Sequence, residues 1–156
     1  MLTADMQRVI REQRLGYVAT VNADGTPNVS PKATFTVIDH ATIGFAELRS
    51  PGTLRNLKTN SAVEVNFVDP FVRKGYRVAG TAAVVERGAA GFDELLVAFA
   101  EFGDLAARMR AAVTITVRKA LPITSPAYDR GATEADLRRL WTAKFRRLQP
   151  GERFEE

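Results

Sequence analysis

The stretch Thr26–Asn60, TPNVSPKATFTVIDHATIGFAELRSPGTLRNLKTN, decides the fold. It reads as a return strand from Pro27 to Ile38, a tight Asp39-His40 turn, a short strand over Thr42–Ala46, and then the start of a helix. Proline has no N–H to give to a ladder, so Pro31 inside the first pattern implies an edge, a bulge or a kink. Ser50-Pro51-Gly52-Thr53 has the form of a helix N-terminus. Ser50 takes the capping position, and Pro51 the first helical one, where its missing N–H costs nothing. Leu54 and Leu57 supply a buried side, Arg55 and Lys58 a wet one, and Asn60 a stop. A helix start with unpaired N–H groups and nearby hydroxyls is an anion seat; the same pattern also describes an ordinary capped helix at the surface. In Ser30-Pro31-Lys32-Ala33-Thr34, a kinked strand frees backbone groups for a planar heterocycle and Lys32 adds positive charge. A barrel-rim irregularity with a solvated lysine is the equal alternative. His40 reads as a solvent-facing turn residue.

Before this stretch, Thr3 caps a helix over Ala4–Gln13 with Met6, Val9 and Ile10 on its apolar side, and Gly16 ends it. Tyr17–Val21 is a strand, and Asn22-Ala23-Asp24-Gly25 makes a hairpin turn. After it comes the strand Ser61–Val68, broken by Asp69-Pro70. A long strand over Tyr76–Val85 follows, and its small residues Ala79, Gly80, Ala82 and Ala83 imply close approach by another group. Glu86-Arg87-Gly88 ends it. Phe92, Leu95, Leu96 and Phe99 recur at helical spacing within Gly91–Phe102, continued by Leu105 and Met109 beyond Gly103. Ala112–Val117 is the last clear strand, extended irregularly through Leu121-Pro122 toward Tyr128. Thr133 and Asp136 have capping-box spacing for a final helix over about 133–149, with Leu137, Leu140, Trp141, Lys144, Phe145 and Leu148 on one face. Pro150-Gly151 stops it, and GERFEE reads as a frayed tail. Short antiparallel strands joined by hairpins, with few helices, predict a mainly β chain in a single domain closed into a small barrel, since closure removes sheet edges.

Composition narrows the chemistry. The chain has 156 residues, no cysteine and one histidine, which excludes disulfides, thiolate metal sites, cysteine nucleophiles and the two- or three-histidine metal centres. The net charge is +4 and the pI about 9.8, but the arginines are mixed with acids, and no basic strip is interleaved with aromatics as a nucleic-acid surface requires. No run of apolar residues reaches membrane-spanning length and no secretory pattern opens the chain, so a cytoplasmic protein is expected. Neither a Rossmann nor a P-loop glycine fingerprint is present, nor a serine–histidine–acid constellation around His40. With so few catalytic side chains, any reaction has to be carried by a bound cofactor.

Taken together, LGYVATVNADGTPNVSP, FTVID, the helix ending RNLKTN, the V-x-V-x-F strand and Gly80-x-Ala82 resemble the pyridoxamine 5'-phosphate oxidase-like split-barrel flavoproteins, over about Met6–Val117. The resemblance implies a six-stranded antiparallel Greek-key split barrel with flanking helices, acting as a homodimer that holds two FMN molecules between subunits. It implies that Ser30, Pro31, Lys32 and Thr34 line the isoalloxazine and ribityl side. Glu47, Leu48 and Arg49 would pass beside the ring largely through backbone groups. Ser50, Thr53 and Asn56 would hold the phosphate, with Arg55 an auxiliary cation, and Met109 and Trp141 of the other subunit would cover the flavin. Lys32 is the candidate catalytic residue, as the cation facing a reduced, anionic flavin. Two features depart from the family pattern: relatives carry a basic pair near Ser50-Pro51, and the true oxidases have an arginine- and histidine-containing C-terminal segment that QPGERFEE does not reproduce. The activity implied is that of an FMN-dependent oxidoreductase or electron-transfer flavoprotein. An F420-using reductase on the same barrel and a non-enzymatic flavin binder are the alternatives.

Overall fold

The computed structural model describes residues 1–149, so the expected stop at Pro150-Gly151 and the GERFEE tail lie outside the described residues. Thr3 does cap the first helix, α1 (Ala4–Gln13): its Oγ1 accepts from the Met6 N–H. The helix is ended by Arg14, at φ 52°, and not by Gly16, which is already the first residue of β1 (Gly16–Val21). β1 turns at Asn22–Gly25 into β2 (Pro27–Lys32), with Gly25 at φ +83° as a hairpin turn demands.

The expected single strand Pro27–Ile38 is two strands. β2 ends at Lys32, and β3 (Phe35–Val37) begins after Ala33-Thr34. β2 pairs with β1, whereas β3 pairs with β4 (Thr42–Glu47). After α2 (Pro51–Thr59) come β5 (Ala62–Asp69) and β6 (Lys74–Glu86), then the short α3 (Phe92–Ala98) and α4 (Asp104–Ala107), β7 (Ala111–Thr124) and α5 (Glu134–Leu148). All seven strands form one antiparallel sheet in the order β2-β1-β5-β6-β7-β4-β3. Its outermost strands, β2 and β3, are therefore successive in the chain and joined by two residues. Only strong curling brings the two margins that close together. The result is an open, curled, split-barrel-like sheet of seven strands instead of six, and the helices take nearly as large a share of the chain as the strands, so it is not mainly β.

The concave side is filled by Phe35, Phe45 and Phe67 with Val18, Ile43, Val65, Val78 and Ile115, all almost fully buried, and α1 closes one end through Val9 and Ile10. Phe35 and Phe67 meet edge-to-face at 4.7 Å, the arrangement that ring quadrupoles favour. A second cluster of Phe92, Phe99, Ala106 and Met109 packs α3 and α4 on the outer side of β4 and β7. The close approach expected at Gly80 is to the chain itself: a Cβ there would lie 2.3 Å from the Thr116 oxygen of β7. α5 docks through Leu137, the Phe71–Phe145 contact and the Arg73 guanidinium 4.1 Å above the Trp141 ring. Leu140 and Leu148 of the same helix are exposed. Among the described residues no helix is long and apolar enough to cross a membrane.

Candidate functional site

The break between β2 and β3 is where the sheet lacks a ladder, and the side chains there replace it. The Thr34 hydroxyl accepts from the Ala46 N–H at 3.1 Å and donates to the Ala46 carbonyl at 2.9 Å, standing in for a missing rung between the bend and β4. Pro31 sits on the margin strand, where its missing donor costs nothing. Beside the bend opens a cleft of about 300 Å³. Ser30 to Thr34 form one wall, Ala46, Leu48, Arg49 and Ser50 the other, and Leu105 of α4 the rim.

Lys32 is the unusual group here. It is only 8 % exposed, its Nζ donates to Ser30 Oγ at 2.6 Å and lies 5.9 Å from the centre of the Phe45 ring. Burial pulls the ammonium below its ordinary pKa, and the charge of Glu47 opposes that shift in part. Lys32 forms no ion pair with any described carboxylate. Glu47 is 1 % exposed, and its Oε1 accepts from both the N–H and the hydroxyl of Ser50. Its backbone oxygen accepts from the Arg110 N–H at 2.8 Å, which fixes the end of β4.

Ser50 does precede α2 as its N-cap, with Pro51 first in the helix, but its side chain makes no capping bond to the helix. The N-terminal N–H groups of α2 are left without a side-chain cap. One turn in, Thr53 is 2 % exposed, and its Oγ1 is the buried side-chain polar atom without a partner among the described residues. Asn56 ties α2 to β1 instead of facing the cleft, donating to Thr20 Oγ1 and Asn22 Oδ1. Arg55 lines a neighbouring recess with Asn22, Asp24 and Lys58.

The structure thus brings Ser30, Pro31, Lys32, Thr34, Leu48, Arg49 and Ser50 to one cleft, with Glu47 behind it and Thr53 at the adjoining helix end. Within the same protomer Met109 is fully buried in the α3–α4 cluster, and Trp141 is held between Arg73 and Lys144. Sequence reasoning missed Leu105 at the rim. It also gave Glu47 a role largely through backbone groups, although an acid three residues before the N-cap serine was a visible signal for its side chain. His40 is exposed in its turn, as expected. Among the described residues no three His, Cys, Asp or Glu side chains cluster as a metal site would need.

A curled antiparallel sheet whose margin break forms a cleft beside a helix N-terminus defines the split-barrel class. Residues 2–124 match the family profile described as pyridoxamine 5'-phosphate oxidase, and the chain belongs to that family. No curated protein matches the sequence significantly. Among solved structures, the chain is similar to HupZ of Group A Streptococcus, with 32% identity over 80% of this chain and 96% of that one, at a TM-score of 0.67. An FMN-binding protein from Syntrophomonas wolfei shares the fold at 16% identity and a TM-score of 0.64, over 77% of this chain and 84% of that one. So does a protein named F420 reductase, at 20% identity and a TM-score of 0.59, over 77% and 98%. The helix α5 lies beyond the family match.

Proposed function

We propose that the chain binds FMN in the Ser30–Ser50 cleft and serves as an FMN-dependent oxidoreductase or electron-transfer flavoprotein. The observation that carries this reading is the pairing of a buried lysine, which makes no ion pair, with a helix end that lacks a side-chain cap and holds an orphaned hydroxyl, at the margin break of a sheet of this family. Both features fit the cofactor. A phosphate monoester supplies the acceptors that Thr53 Oγ1 and the first N–H groups of α2 lack, and α2 offers it the positive end of its dipole. The bend Ser30–Thr34 supplies a flat wall for a ring system, and Leu48 and Leu105 supply apolar surface that excludes water from it.

Bound flavin supplies the redox chemistry; the protein supplies position and field. Lys32, held by Ser30 Oγ in a dry wall, presents a positive charge that favours negative charge developing on a bound ring. Arg49, exposed at the same cleft, adds a second cation. The protein works as a homodimer in this reading, because the outer face of β1 and β2 exposes Tyr17, Val21 and Val29 together. A second cofactor is favoured by one observation. The recess bearing Arg55 and Lys58 adjoins α2 and suits the longer acidic tail of F420.

Titration of the purified protein with FMN and with F420, read by flavin fluorescence and absorption, tests the assignment. FMN is expected to bind more tightly, with one site per chain and a dimer by light scattering. A protein that binds neither, or only F420, overturns it.

A further inference from the structure

Glu47 is the one buried carboxylate among the described residues, and its use is unexpected. The nearest buried cation is Lys32, whose ammonium feels its charge, yet the two make no ion pair. Instead Oε1 takes both donors of Ser50, the N–H and the hydroxyl. Ser50 is the N-cap of α2, and the first turn of α2 contains no acid of its own. A carboxylate from the end of β4 therefore supplies the negative group that the helix end attracts. The donors it consumes belong to the end at which a ligand phosphate would be held.

Two anions cannot share those donors at close range. Their repulsion is weakly screened on the Glu47 side, because Glu47 is 1 % exposed. We propose that Glu47 is an internal competitor for the phosphate position and a determinant of specificity: it lowers the preference of the site for a phosphorylated flavin over the same flavin without phosphate. Lys32 works in the opposite sense, offsetting the Glu47 charge from across the cleft. This rests on the flavin-binding reading, and it concerns a side chain for which that reading has no task.

Glutamine at position 47 keeps an oxygen that accepts from Ser50 and removes the charge, so Glu47→Gln separates electrostatics from scaffolding. The experiment measures dissociation constants of FMN and riboflavin for the wild type, Glu47→Gln and Glu47→Asp by fluorescence quenching. Glu47→Gln is expected to raise the FMN-over-riboflavin affinity ratio about tenfold or more. Glu47→Asp keeps the charge but draws it back by one methylene from the Ser50 donors, so it raises the ratio by less and carries the test if the glutamine variant does not fold. The wild-type ratio is itself a measurement, and it is expected to stay below about a hundredfold. Scaffolding damage alone lowers both affinities together and leaves the ratio in place. An unchanged or reduced ratio in a folded variant, or a wild-type preference far above a hundredfold, overturns the competitor role while FMN binding stands. Absence of binding by either flavin to every form overturns both.

Discussion

Replacing Gly80 by alanine tests whether the longest ladder of the sheet has the geometry described. A Cβ at this position would stand 2.3 Å from the Thr116 carbonyl oxygen and 2.8 Å from Ile115 Cγ2. Carbon and carbonyl oxygen settle at about 3.3 Å or more, so the two strands must part by about 1 Å. The offending atom is backbone in the middle of the β6–β7 pairing, next to the register shift between Ala79 and Gly80, and no rotamer relieves it. Parting the strands weakens one or two rungs at about 1 kcal/mol each, and pushing Ile115 into a filled core costs about 1–3 kcal/mol more. A loss of about 3 kcal/mol follows, equivalent to roughly 6–12 °C in Tm for a chain of this size. Urea unfolding followed by far-UV circular dichroism reads it as a lowered midpoint at constant slope. Gly52, inside α2 with open space around its Cβ position, is the control. Alanine there should stabilise by about 0.5–1 kcal/mol. A Gly80→Ala protein within about 0.5 kcal/mol of the wild type would show that the strands are not this close.

Thr53→Val, isosteric and without the orphaned hydroxyl, should raise the urea midpoint and weaken FMN binding at once; an unchanged FMN affinity in the folded variant refutes the role of Thr53 in phosphate binding. Lys32 has its ammonium pKa lowered by burial, so the unfolded chain binds its proton more tightly. The penalty is fully present below the folded-state pKa and fades as pH rises toward the ordinary lysine value. Lys32→Met should therefore be more stable than the wild type at pH 7, with the gap closing at alkaline pH, and should bind FMN less well. A gap that widens with pH contradicts the burial. Asp5 accepts from the Tyr76 hydroxyl at 2.5 Å and from Arg8, which hold its carboxyl below the usual range. That stability is present above the ordinary carboxylate pKa and is lost as pH falls through the lowered one. Tyr76→Phe should thus lower stability at neutral pH and flatten the acid limb of the stability curve, as read by urea midpoints between pH 2 and 7. Asp5 is largely exposed, and the effect is small.

Local chemistry was plain in the sequence wherever a short-range rule decides. Thr3 and Thr133 cap their helices with both halves of the capping box, and Gly25 and Asn60 end their elements as expected. The misreadings share another cause. Thr34 and Thr36 alternate with Phe35 and Val37 straight through the bend, so nothing local reveals that Lys32 and Phe35 belong to opposite margins of the sheet. That exchange is a tertiary fact. Pro122 looked like an irregularity because proline breaks a ladder; in the sheet β4 pairs with β7 only as far as Thr116, and beyond it β7 has a free side that tolerates proline. In the site, Pro31 correctly pointed to an edge and Ser50 to a helix start. Which donors Ser50 would give to Glu47 depended on where β4 ends, and no pattern within one element holds that information.

The two-residue joint between β2 and β3 also governs how the chain can assemble. The hairpins β1–β2 and β3–β4 are neighbours in sequence, yet they attach to opposite sides of the β5–β6–β7 leaf. Whichever docks first fixes the end of the other within three Cα steps, a reach of roughly 11 Å. The second docking then closes almost no additional loop, and its entropy has been spent by the first. The kinetic bottleneck falls on the first arrival and on the distant β6–β7 pairing. Mutations in the later hairpin should change the rate of unfolding and leave the rate of folding nearly untouched.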